Sequence, residues 1–170
     1  MSHSLEVLMY QVGQVFLIPT LAVIALLFFH AFYALGAFAV QWWQRRRTVM
    51  SFDDPRGYPL VAWARGRTAI NDDDLDIKAH KLLELQRIVT RVAPMLGLVA
   101  TMIPMGPALK GLSDGNLAQV SDNLVVAFSA VILALIAASI NYWIVSVRRG
   151  WLAEELAWLK ARLDSNGAVK

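Results

Sequence analysis

Residues 15–40 read VFLIPTLAVIALLFFHAFYALGAFAV, with no Asp, Glu, Lys or Arg, and residues 41–47 follow as QWWQRRR. A helix crosses the hydrocarbon core of a bilayer in about 20 consecutive apolar residues, so this run is long enough to span. Trp42 and Trp43 then supply an aromatic belt, and Arg45, Arg46 and Arg47 a basic cluster. That order marks a helix leaving the membrane on its cytoplasmic side. The run is too long for the core of a cleaved signal, and no Lys or Arg precedes it. It is therefore expected to remain in the mature protein.

Two further runs have the same character. Val92 to Leu109 (VAPMLGLVATMIPMGPAL) is uncharged up to Lys110, and Leu124 to Val147 ends at Arg148 and Arg149, with Tyr142 and Trp143 at headgroup depth. Charged residues make up only 17% of the 170, and 57% are hydrophobic, whereas a soluble domain carries roughly 25% charged residues. The predicted fold class is an all-α integral membrane protein with three transmembrane helices.

Orientation follows from the cations. Residues 1–14 contain no Lys or Arg, residues 41–91 contain ten, residues 110–123 one, and residues 148–170 five, which accounts for all sixteen. The positive-inside rule puts the loop and the C-terminal tail in the cytoplasm. The predicted layout is an outside tail at 1–14, spans at 15–40, 92–112 and 124–147, and an outside hairpin at 113–123. The cytoplasmic parts are a loop at 41–74, a helix at 75–91 leading into the second span, and a helix and tail at 148–170. In this setting the net charge of +3 sets topology and meets anionic lipid headgroups. Nucleic acid is not expected as a partner, because the same loop is rich in Asp.

Within the loop, Pro55, Gly57, Pro59 and Gly66 break any long helix. Asn71-Asp72-Asp73-Asp74 then offers capping side chains and negative charge where a helix starts. The acidic run lacks the alternation, central Gly and distant Glu of a calcium loop, so no metal is expected. Leu75, Ala79, Leu82, Leu83, Ile88 and Val92 fall near one helical face, and nothing stops the helix before Pro94. After the third span, Trp151, Leu152, Leu156, Leu159 and Leu163 alternate with Glu154, Glu155, Lys160 and Arg162, which predicts an amphipathic continuation packed on the 75–91 helix with the charged set in solvent. Ser165 to Lys170 are expected to fray.

The second and third spans carry small residues where the first is bulky and aromatic. Gly97, Thr101, Pro104 and Ala108 repeat at helical spacing, as do Ala127, Ala130, Ala134, Ala138 and Asn141, with Ser129 beside them. Small residues let helices approach closely in lipid. Two readings of these stripes stand: packing within the chain, or the wall of a lumen in a ring of several copies, girdled by the Thr101 and Ser129 hydroxyls. Those hydroxyls either serve an ion path or bond back to a carbonyl one turn earlier. Hydroxyls alone do not take up and release protons at neutral pH, and the spans contain no acid, so a titratable group would have to come from another chain. His30 is either a neutral ring satisfied by a neighbouring helix or a relay or interface group. Lys110 is either an anchor snorkelling to the interface or the partner of an acid on another chain. No nucleophile–base pair, metal-ligand cluster or phosphate loop is present, so neither an enzyme nor a cofactor is expected.

The segment APMLGLVATMIPMGPALKGL (93–112) resembles the second-span motif of the MotA/TolQ/ExbB proton-channel family, in which Ala-Pro-x-Leu-Gly-Leu-x-Gly-Thr is typical. Residues 112–135, LSDGNLAQVSDNLVVAFSAVILAL, with VRRGW after them, resemble the hairpin and third span of its smaller members. The resemblance covers about Leu82 to Trp151. It implies a pentameric ring around a dimer of a single-span protein of the ExbD/TolR/MotB type, whose membrane Asp takes up protons. It further implies that Thr101 faces that Asp and that Ser129 stands where a third-span threonine is usual. Ala100 replaces the common glycine before the threonine, and the acid near the start of the third span has no clear match, although Asp122 lies close. Proton and sodium use thus both stay open. The expected function is a ring-forming stator subunit of an ion-driven motor in the inner membrane; the alternative is a non-conducting scaffold that organises a partner. The small loop, against the large one of flagellar members, points away from a flagellar rotor partner.

Overall fold

The computed structural model describes residues 2–65, 67 and 71–167, and side chains at residue 8 and over 11–65, 67 and 71–163. Four helices follow in order, α1 (Ser2–Arg47), α2 (Pro59–Ala64), α3 (Asp72–Ser113) and α4 (Leu117–Gly167), with no strand among the described residues. Three of them, over Gln11–Arg47, Asp72–Ser113 and Leu117–Leu163, are long and apolar enough to cross a membrane. Helices suit this role because lipid offers no hydrogen bonds, so each backbone group must be satisfied within its own segment. The architecture fits an all-α membrane protein.

α3 starts at the predicted cap. The Asn71 carbonyl accepts from Asp74 N at 3.1 Å and Leu75 N at 3.3 Å, while Asp74 Oδ2 reaches back to Asn71 N at 3.5 Å. Asp72, Asp73 and Asp74 occupy its first turn, where the helix dipole favours negative charge. α3 then continues unbroken past Pro94, Pro104 and Pro107. Its junction with α4 is tighter than the predicted 113–123 hairpin. Gly115 supplies φ +72°, Asn116 N donates to Gly111 O at 2.8 Å, and Asn116 Oδ1 caps α4 by accepting from Gln119 N at 3.2 Å. At the other end α4 remains helical through Gly167, so the fraying expected from Ser165 does not begin there. The last three residues of that expectation lie outside the described residues.

Cα packing divides the chain into two compact units, Met1–Phe32 with Val89–Ile140, and Tyr33–Ile88 with Asn141–Lys170. The first is held by small residues. Ile24, Ala100, Ala130 and Ala134 form one buried cluster, with Leu21, Leu96 and Leu133 against it, and Val89, Ala93 and Ala138 with Leu27 form another. α3 and α4 approach so closely that a Cβ on Gly97 would lie 3.0 Å from Ala134 Cβ and 3.3 Å from Val131 Cγ2. On α3 the buried phase passes through Val89 and Ala93. Ile88 and Val92, which the sequence placed on the packed face, are exposed. Residues one apart on a helix differ by about 100°, and the adjacent apolar pairs Ile88-Val89 and Val92-Ala93 leave either member able to take the packed face.

The second unit is built around a charge. Leu75, Leu83, Leu152 and Leu159 pack with Tyr58, Leu60, Val61 and Ala64 of the loop and α2. The sequence placed Glu155 in solvent, but its side chain is 0% exposed. Glu155 Oε1 accepts from Arg45 Nη1 at 2.5 Å, and Oε2 accepts from Leu60 N at 2.8 Å and Val61 N at 3.4 Å. α2 has no side-chain cap of its own; the carboxylate from α4 satisfies its first amides instead. The Arg45 guanidinium lies over the Tyr58 and Trp151 rings at 4.3 and 4.9 Å, and Trp151 stacks on Phe38. Gly57 must have both its φ of +81° and no side chain, since a Cβ would meet Arg45 at 3.0 Å. Lys160 ties α4 to the start of α3 through Asp76 at 3.3 Å and Asp72 at 3.7 Å, and the bond to Asp76 raises its pKa.

Gly97→Leu is expected to lower stability in detergent by about 1–3 kcal/mol through overpacking. Gly36→Leu, where a Cβ meets nothing within 4 Å, gains the same helix propensity without the clash and serves as the control. Arg45→Ala would leave the Glu155 carboxylate buried without its guanidinium, a loss of about 3–5 kcal/mol. Burial pushes the Glu155 carboxyl above its ordinary 4.5, although Leu60, Arg45 and Val61 pull it down. A raised folded-state value means a contribution fully present below 4.5 and lost as pH rises through the folded value. Thermal melts across that window should show this loss in the parent chain and not in Glu155→Gln.

Candidate functional site

The membrane-spanning segments contain few polar side chains, and the structure separates them into packed and exposed sets. Gly97, Pro104, Ala108, Ala127, Ala130 and Ala134 are buried within a single chain. Their small size serves the approach of one helix to another. Asn141, on the same side of α4, is also fully buried.

Thr101 and Ser129 stand at the edge of that contact. Each is one residue away from a member of the Ala100–Ala130 cluster, which places the two hydroxyls at about the same depth. Thr101 is partly exposed and Ser129 exposed. Around them on the surface lie Leu98, Met102 and Met105 of α3 and Val125, Phe128 and Ile132 of α4. The Thr101 hydroxyl donates to Leu98 O at 2.7 Å, the local bond that the sequence left as one of two readings. A hydroxyl has one proton and two lone pairs. With its proton committed to Leu98, Thr101 keeps its acceptor capacity facing outward.

The remaining candidates are dispersed. Lys110 is exposed in the last turn of α3, and Asp122 is exposed in the early turns of α4. His30 is half-buried beside the packed stripe of α1, and its Nε2 is buried with no hydrogen-bond partner among the described residues. Among the described residues no group of three His, Asp or Glu side chains is placed to hold a metal ion. The buried Arg45–Glu155 pair was missed from the sequence, and the one signal available was an acid set among leucines at 152, 156 and 159.

The family model described as the MotA/TolQ/ExbB proton channel family matches residues 71–158, just over half of the chain. The chain belongs to this family. No curated protein and no solved structure matches it. The matched region holds all of α3 and α4 as far as Trp158, so it includes both hydroxyls, the small-residue contact between them and Glu155. MotA/TolQ/ExbB members are channel and transport-coupling proteins rather than classical enzymes, and the chain is a proton-channel-related membrane subunit. Family membership and three apolar helices together fit a multi-pass inner-membrane protein.

Proposed function

We propose that the chain is the ring-forming subunit of an ion-driven stator, with its N-terminus outside and its C-terminus in the cytoplasm. Several copies, five in the expected ring, enclose a dimer of a single-span partner that carries an acid within the membrane. The observation that supports this reading is a pair of hydroxyls, Thr101 and Ser129, left at matching depth with the exposed Leu98, Met102, Val125 and Phe128 around them. Polar groups in a membrane surface are costly and mark pathways, and this chain brings no acid of its own to that depth.

Thr101, its proton held by Leu98 O, accepts a hydrogen bond from the partner's protonated carboxyl and so favours the neutral acid. Release of the proton returns a carboxylate that Thr101 does not solvate, which drives the acid onward to a new position. The same oxygen would bind a sodium ion. Each charge that crosses 100 mV yields about 2.3 kcal/mol, sufficient for a modest step of the partner against the ring.

Ion flux through the assembled complex in liposomes tests this. Thr101→Val should reduce flux about tenfold, the worth of one hydrogen bond near 1.4 kcal/mol, and Thr101→Ser should retain it. Flux unchanged in Thr101→Val removes the hydroxyl from the path, and a complex that never conducts favours the scaffold reading.

A further inference from the structure

Two arginines of the second unit are withdrawn from water, and they are treated very differently. Arg45 has Glu154, Glu155 and two aromatic rings. Arg148 is half-buried, and its Nε is buried with no hydrogen-bond partner among the described residues. It lines a cleft of about 120 Å³ with Gln41, Pro59, Leu82, Leu83 and Leu152. No carboxylate belongs to that lining. A buried donor left unpaired costs about 1–3 kcal/mol, more when the group is charged, so the site is incomplete as the chain alone presents it.

Charge and position indicate what completes it. A second cleft of about 180 Å³ shares Leu83 and Leu152 with the first and contributes Arg149. Its one acid, Asp76, is engaged by Lys160. Anions are thus attracted from both sides of the Leu83–Leu152 wall. Arg148 also directly follows the third apolar run, which ends at Val147, and so lies at headgroup depth. We propose that the Arg148 cleft binds the phosphate of an anionic phospholipid. The guanidinium fork takes the phosphodiester oxygens at the end of the apolar run, so the acyl chains pass into the bilayer on its membrane side, while Pro59, Leu82, Leu83 and Leu152 wall the cleft on its cytoplasmic side. A free phosphate has the same charge chemistry but no acyl anchor to hold it at headgroup depth, which favours the lipid. The assignment needs only the membrane embedding and holds whether or not the complex conducts.

Lipid retention by the purified full-length assembly, read by native mass spectrometry, tests the proposal with phosphatidylglycerol and phosphatidylcholine supplied at equal mole fraction. The parent chain should retain phosphatidylglycerol about tenfold over phosphatidylcholine, a difference near 1.4 kcal/mol. Arg148→Gln should abolish that preference, and Arg56→Gln, which removes the same charge from an exposed site, should leave it intact. Should Arg148→Gln fail to fold, Arg148→Lys, which lacks the planar fork, should lower retention about threefold. Equal retention of the two lipids by the parent chain, or an unchanged preference in the folded Arg148 variant, would overturn the proposal. Displacement of phosphatidylglycerol by millimolar inorganic phosphate would equally overturn it in favour of a small-anion site.

Discussion

Gly97 on α3 and Ala134 on α4 come together so closely that a Cβ on Gly97 would lie 3.0 Å from that of Ala134, and the rest of the membrane unit depends on that approach. Lipid tails are as apolar as leucine, so helices in a bilayer gain nothing by hiding greasy side chains from them. Contact must come from dispersion between surfaces that interdigitate, which requires backbones to come near. Ala100, Ala130, Ala93 and Ala138 extend the same contact along the two helices, and Ile24 of α1 closes it from the third side. Because the small residues are consumed in this way, the surface left over is largely bulky and apolar; the exposed Ser139 bonds back to Leu135 O, and Thr101 and Ser129 stand as polar points beside Ala100 and Ala130. In the proposed assembly those points meet a partner's acid.

The second unit is organised by the opposite principle. Here water is available as a competitor, a hydrophobic core forms from leucines and α2, and one ion pair is buried inside it. Burying a charge is costly, yet Glu155 accepts from Arg45 and from two amides that α2 cannot otherwise satisfy. The short helix, the loop bend at Gly57 and the two long helices are thereby joined through a single carboxylate. Arg148 shows what the same environment does to a cation that lacks such an arrangement.

Much of this architecture was legible in the sequence. The three apolar helices follow from length and charge alone, the start of α3 follows from Asn71 and the acids after it, and the packing of Leu75 and Leu83 with Leu152 and Leu159 follows from periodicity. The phase of the packed face on α3 was less legible. Ile88 and Val89 are adjacent β-branched apolar residues between Arg87 and Thr90, so they read alike although only Val89 is buried. The small-residue stripes predicted close packing, but not whether the packing lies within one chain or around a lumen. Glu155 was read as solvated because an isolated acid in an amphipathic helix usually is, and its partner Arg45 lies 110 residues away. Nor does sequence show that Thr101 directs its proton inward to Leu98, since that is a matter of rotamer.

In the proposed assembly this subunit is complete in its packing and incomplete in its chemistry, borrowing its charge carrier from another polypeptide. The mass of the native complex extracted from its own membranes tests this most directly. The account predicts several copies of the 18.9 kDa chain, five in the expected ring, together with a smaller single-span protein bearing an acid inside its apolar segment. A solitary 18.9 kDa species, or a companion with no such acid, would contradict it.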